Sequence, residues 1–334
     1  MYATRLAAGR PTLVAPLAVA ASAILSNGVA AMNGQGPGVA EVFGHFAFDL
    51  PWFAFFGSVA VLYVRAFRQT AARKGRARHP RWKLVSFHVG LFAAALAVVS
   101  PLEYYGNQIL WVNFLGFLIL TMVAAPLILL GSPLTLAFRA SGPVGRRRLR
   151  RAYRSRPLAI LTFPVASWLG FAVVTYLWQF TALTDRAAAN TFVRDLQQLT
   201  LLAVALCFWT PALAADPLRW RIPHPLRALY VFVEMTHKGL FGGMFLSMQR
   251  PFHDGFAEQL PAWAGLSPID DQRLAILILW IGGNMIFIAA FAGIIARWVQ
   301  YEKRNAHRTD WRLALQREAR RKRDVAMEQV FRRV

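Results

Sequence analysis

Residues 234–253 place chemistry-bearing side chains in an otherwise apolar run, EMTHKGLFGGMFLSMQRPFH. Glu234 and Lys238 stand four residues apart with the carboxylate first, the favourable order for an ion pair along a helix. His237 falls on the neighbouring face. A charge at bilayer depth costs ~2.5–3.5 kcal/mol on insertion scales, so such groups face inward, pair with one another or do work. Three readings are open: a self-neutralised patch that joins helices, a proton or ion relay, and a metal-related role for His237. Toward the outer end Met244 and Met248 share a face, and His253 follows. Thioether and imidazole donors suit Cu(I), because soft ligands select soft metals; the same methionine spacing also serves packing. The candidate metal set is therefore His237, Met244, Met248 and His253, with copper as the ion, beside an intramembrane Glu234–Lys238 ion pair. His45 joins His253 only if their loops pack together. His88 reads as a hydrogen-bonded core histidine, and the single cysteine, Cys207, as a small apolar side chain at a helix contact.

The elements that hold these groups must be membrane helices. The chain has 334 residues, 56% of them hydrophobic and 13% aromatic. Apolar runs recur near 12–32, 48–67, 84–101, 109–131, 159–181, 196–216, 228–248 and 273–297. Each matches a hydrocarbon layer of ~30 Å at 1.5 Å per helical residue, and helices satisfy their backbone groups within one segment. The expected fold is all-α, a polytopic integral membrane bundle of seven to eight spans. Gly239, Gly242 and Gly243 in the seventh run, with Gly282 and Gly283 in the eighth, predict close packing of these two helices. Asn284 there would need a hydrogen-bond partner on another helix.

The net charge of +22 is a topology signal. Of 38 lysines and arginines, 33 lie before the first run, in alternate loops or in the tail, all on one side. Cationic loops stay cytoplasmic, which places the C-terminus on the cytoplasmic side. Anionic membrane lipids are the expected partners of the Arg-rich loops and tail, and nucleic acid is not expected. Residues 1–32 read either as a signal-like segment or as an uncleaved first span: Arg5 and Arg10 precede LVAPLAVAASAIL, and Gly28-Val29-Ala30 resembles a cleavage site. Residues 33–300 form the bundle, and 301–334 a basic tail with a helix predicted from an Asp310 N-cap along the inner leaflet. That tail is also a candidate docking site for a partner.

Three stretches resemble the CtaG-like family of cytochrome c oxidase assembly factors, over about residues 45–300. WKLVSFHVGLFAAALAVVSPLEYYG (82–106) has Phe-x-x-Gly and ends in Ser-Pro at Pro101. LTMVAAPLILLGSPL (120–134) has Ala-Pro-Leu at Pro126 and closes on Leu-Gly-x-Pro at Pro133. DQRLAILILWIGG (271–283) begins Asp271-Gln272 and reaches Trp280. The resemblance implies a multi-pass bacterial inner-membrane protein needed to build an active haem–copper cytochrome c oxidase, binding oxidase subunits, with copper insertion at the outer face as its expected chemistry. Where the family usually carries a His-x-x-x-His pair this chain has Asn113 and Phe117, and where it carries Glu-His this chain has Gln197 and Gln198. If those histidines handle copper in relatives, the His237 group is the natural substitute here. The alternatives are a transporter of a small solute or copper, and a scaffold subunit that binds no metal. No nucleophile–base set, phosphate loop or catalytic carboxylate pair points to an enzyme.

Overall fold

The computed structural model describes residues 49–72, 79–216, 219–220 and 222–331. The described residues are helices and connecting turns, with no strand among them. Helix α1 is Leu50–Ala72, α2 is Arg81–Val99, α3 is Pro101–Gly106 and α4 is Leu110–Leu118. A π turn, Ile119–Ala124, leads into α5 (Ala125–Leu130), followed by α6 (Pro133–Ala140), α7 (Pro143–Tyr153) and α8 (Arg156–Leu161). Then come α9 (Pro164–Gln179), α10 (Leu183–Ala189), α11 (Thr191–Leu213), α12 (His224–Leu246) and α13 (Asp254–Gln259). A last assembly joins α14 (Pro268–Leu277), a second π turn (Ile278–Gly282) and α15 (Gly283–Phe331).

The protein is a helical membrane protein. Among the described residues five helical stretches are long and apolar enough to cross a bilayer: α1, α2, Leu110–Ala140, α11 and Pro268–Ala306. A sixth arises if α9 and α10, bent by 63° at their break, make one crossing. Helix α12 is as long as α11, at 23 residues, but Glu234, His237 and Lys238 dilute its apolar content. The first expected span, the signal-like alternative and His45 lie outside the described residues. Large apolar side chains cover the outer faces, with Phe92, Val173 and Leu240 each more than half exposed, as lipid-facing surfaces require.

The turns between helices are built by specific bonds. Ser100 caps α3, its hydroxyl accepting from Leu102 N, and Pro101 fills the first helical position, where no N–H is needed. Pro126 explains the first π turn. Ala125 N bonds back to Leu120 O, so Thr121 O would next need an N–H from residue 126, which proline lacks. The Trp209 indole N–H of α11 donates to that carbonyl at 3.0 Å instead. At the end of α5, Ser132 adopts a left-handed conformation (φ 53°) ahead of Pro133.

Helices α2 and α5 interlock through two glycines. A Cβ on Gly90 would lie 2.7 Å from Ile128 N, and one on Gly131 2.7 Å from Phe87 Cβ. The Phe-x-x-Gly and Leu-Gly-x-Pro stretches are therefore two halves of one packing contact. One core cluster includes Phe87, Phe114 and Leu201, and a second includes Phe171, Phe208, Trp209, Val231 and Phe287.

Helices α12 and α15 pack together, but their closest approach differs from glycine on glycine. A Cβ on Gly242 would come within 2.9 Å of Trp280 Cγ, Gly282 faces Leu118, and Gly243 and Gly283 face open space. A large indole seated over one glycine sets the spacing. The tail also differs from expectation. Helix α15 runs unbroken through Thr309 and Asp310 for 49 residues, about 74 Å at 1.5 Å per residue, so Asp310 is no N-cap. Propagating an existing helix adds one bond per residue and needs no new nucleus.

Candidate functional site

Helix α12 brings Glu234, His237 and Lys238 to a cavity of about 30 Å³ shared with Tyr176, Phe241 and Trp280. Glu234 and Lys238 are almost fully enclosed, at 1% and 8% exposure. Glu234 Oε1 lies 3.8 Å from Lys238 Nζ, and Oε2 lies 3.6 Å from His237 Nδ1. The ammonium sits 5.1 Å from the centroids of Phe171 and Phe287, 6.0 Å from that of Phe117 and 4.0 Å from Met122 Sδ. Ring faces carry negative charge, so this cage stabilises a cation where water is excluded. The His237 ring rests against Trp168, Tyr176 and Phe241. His237 Nδ1 and Glu234 Oε2 are buried without hydrogen-bond partners among the described residues.

The other members of the candidate metal set have different surroundings. Met244 is 48% exposed, and Met248, just beyond α12, is half-buried. His253 is 1% exposed in the loop after α12. Its Nε2 lies 3.0 Å from Gln179 O, and its Nδ1 3.5 Å from Asp185 Oδ1. Among the described residues no three His, Cys, Asp or Glu side chains gather as a metal cluster. His88 holds Leu84 O through Nδ1 at 2.8 Å, Cys207 is a half-buried free thiol, and Asn284 Oδ1 is buried without a partner among the described residues.

A second polar cavity, about 40 Å³, lies among α3, α4, the end of α9 and the first half of α11. It unites Asn113, Phe117, Gln197 and Gln198 with Glu103, Arg194 and Gln179. Glu103 Oε1 meets Arg194 Nε at 2.6 Å. Burial pushes the Glu103 carboxyl up to about 7, although the Arg194 guanidinium pulls in the opposite direction. Both side-chain polar atoms of Gln179, which is fully buried, lack partners among the described residues. Amide and phenyl groups beside a guanidinium offer copper no imidazole or thiolate. Glu103, Arg194 and Gln179 escaped the sequence reading because they come from three segments; the one signal was a carboxylate two residues after Pro101.

The motif residues of the last stretch act as ties. Asp271 accepts from Leu110 N and Trp111 N, both at 2.9 Å, and so caps α4 from 160 residues away. Gln272 accepts from Phe252 N at 2.8 Å and pins the loop after α12. Trp280 covers Gly242. Asp216, which the sequence reading missed, caps α6 in the same manner through Leu134 N and Thr135 N. There Lys83 Nζ donates to Ser132 Oγ at 2.6 Å, and the Tyr63 hydroxyl donates to Gly131 O at 2.7 Å.

Comparison with known proteins gives the following. The family described as "Cytochrome c oxidase caa3 assembly factor" matches residues 61–301. An uncharacterised protein of Mycobacterium leprae is 26% identical over 290 residues, covering 83% of this chain and 43% of the relative. Uncharacterised proteins of Mycobacterium bovis and Mycobacterium tuberculosis are each 26% identical over 285 residues, covering 83% of this chain and 42% of the relative. The chain thus spans less than half the length of the curated relatives it matches. No solved structure matches.

Proposed function

The chain belongs to the cytochrome c oxidase caa3 assembly factor family, and from that premise we propose that it assists assembly of a haem–copper oxidase by holding oxidase subunits, without catalysing a reaction. The family match over residues 61–301 carries this reading. The motif residues support it through their roles: Gly90, Gly131, Asp271, Gln272 and Trp280 lock helices and loops together, as a rigid holding surface requires.

The proposed placement is a bacterial inner membrane, with α12 as a further crossing and residues 12–32 as another unless they are removed. The arginine-rich loops and tail then face the cytoplasm and attract anionic headgroups. The test is a pulse-chase pull-down of tagged protein. Newly made oxidase subunits should co-purify early and leave as the oxidase matures. Absence of subunits at every time point contradicts the proposal.

Copper hand-over at the outer face is the second reading, with copper as cargo. The observation on its side is the unpartnered His237 Nδ1 beside Glu234 Oε2; the neighbouring Lys238 charge opposes a bound cation. Oxidase lost with the protein and restored by excess copper would select this reading. A loss that copper leaves unchanged selects subunit holding.

A further inference from the structure

A third cavity, about 250 Å³, opens at the cytoplasmic end of the bundle between α7 and the ends of α5, α8 and α11. Its walls are mainly aliphatic: Leu129, Leu134, Leu149, Ala152, Leu158 and Leu213. Asp216 is the single carboxylate on its wall among the described residues, and its oxygens are engaged by Leu134 N and Thr135 N. With mainly aliphatic walls, this room suits part of an alkyl chain and offers water few hydrogen-bond partners.

Helix α7, PVGRRRLRRAY, has no buried residue. It turns Leu149, Ala152 and Tyr153 toward the cavity. Arg147, Arg148, Arg150 and Arg151 are exposed on the rest of its surface. None of these four has a carboxylate partner among the described residues; Arg146 differs, its Nε donating to Phe138 O at 3.0 Å. An apolar slot beneath free guanidinium groups complements a molecule with an anionic head and a hydrocarbon tail. A protein partner would have to present both features in one extended segment, whereas the surrounding bilayer supplies them in every anionic lipid.

We propose that the cavity under α7 is a binding site for one acyl chain of an anionic phospholipid whose headgroup is attracted by the cationic surface that Arg147, Arg148, Arg150 and Arg151 give α7. This deepens the reading that the basic loops attract anionic headgroups, and rests on it. A seated lipid would fix α7 against the bundle.

The test uses the full chain, delipidated in neutral detergent and titrated with dioleoylphosphatidylglycerol or dioleoylphosphatidylcholine under native mass spectrometry. The expected result is one phosphatidylglycerol retained at least tenfold more tightly than phosphatidylcholine. Leu149→Trp, which fills the slot, should abolish that retained lipid. Each Arg→Gln change on α7 should weaken it roughly fivefold. Phosphatidylglycerol carrying a diazirine in its chain should cross-link the unaltered protein at Leu149, Ala152 or Leu158, a readout independent of any variant's folding. Cross-links elsewhere, or full retention in folded Leu149→Trp, would overturn the pocket while leaving general headgroup attraction intact. Equal retention of the two lipids would overturn both.

Discussion

Lys238 carries a buried charge. It is enclosed by Phe117, Phe171, Phe287 and Met122, with Glu234 its one salt-bridge partner among the described residues. Removing one member of a buried pair strands the other, at a cost of about 3–5 kcal/mol, whereas replacing both with apolar or neutral groups is often tolerated. Lys238→Met alone should therefore lower the melting temperature of detergent-solubilised protein sharply, and Glu234→Gln with Lys238→Met should recover most of the loss. Equal melting temperatures in the single and double variants would show that the pair is not coupled. Glu103 makes a different prediction. Its folded pKa of about 7 exceeds the ordinary value of 4.5, so between these values the folded state holds a proton that the unfolded chain has released. Stability should be greatest below about pH 4.5 and fall as pH rises through 7, by up to roughly 3 kcal/mol. Glu103→Gln should flatten that part of the pH–stability curve. A curve unchanged by the substitution would remove Glu103 as its source. The i,i+4 spacing made the Glu234–Lys238 proximity legible in sequence, because one helix supplies both partners. The aromatic cage was not legible, because its rings come from three other helices.

At the scale of elements, glycines set the close contacts, against a large side chain at Gly131, Gly242 and Gly282 and against backbone at Gly90. Gly242→Ala places a Cβ against the Trp280 ring and should cost about 1–3 kcal/mol. Gly243→Ala, facing open space, should be neutral or stabilise by up to about 1 kcal/mol through helix propensity. Thermal denaturation of the two variants side by side separates them; equal effects would refute the indole-on-glycine contact. Asp271→Ala leaves Leu110 N and Trp111 N without their acceptor and should cost about 1–2 kcal/mol, with slower proteolysis at the start of α4 as the result that would contradict it. The glycine-rich runs announced a tight helix pair, but Trp280 already stood in the motif and its seat could not be read. Spacing along one segment does not reveal which residue of another will face it. The same limit hid Asp271 and Asp216 as caps and Trp209 as the donor to Thr121 O at the first π turn. The tail helix was legible as a helix; its fusion to the last span was missed, since Asp310 is a good cap only where a helix begins.

At the scale of the molecule, charge and hydropathy carried the most information. The cationic loops alternate with apolar runs over most of the chain, which defined a helical membrane protein before any contact was known. The three motif stretches indicated the family, and their structural roles explain why they can mark it without forming a reactive centre. They hold the bundle together, while most polar groups of the two small cavities, Glu103 and Trp280 aside, come from residues scattered between them. The proposed role in assembly makes the protein necessary for an active oxidase. The measurement to make is the a-type haem spectrum and cytochrome c oxidase activity of membranes with and without the protein. Both should fall together when the protein is absent and return with the restored chain. Unchanged haem and activity in its absence would contradict it.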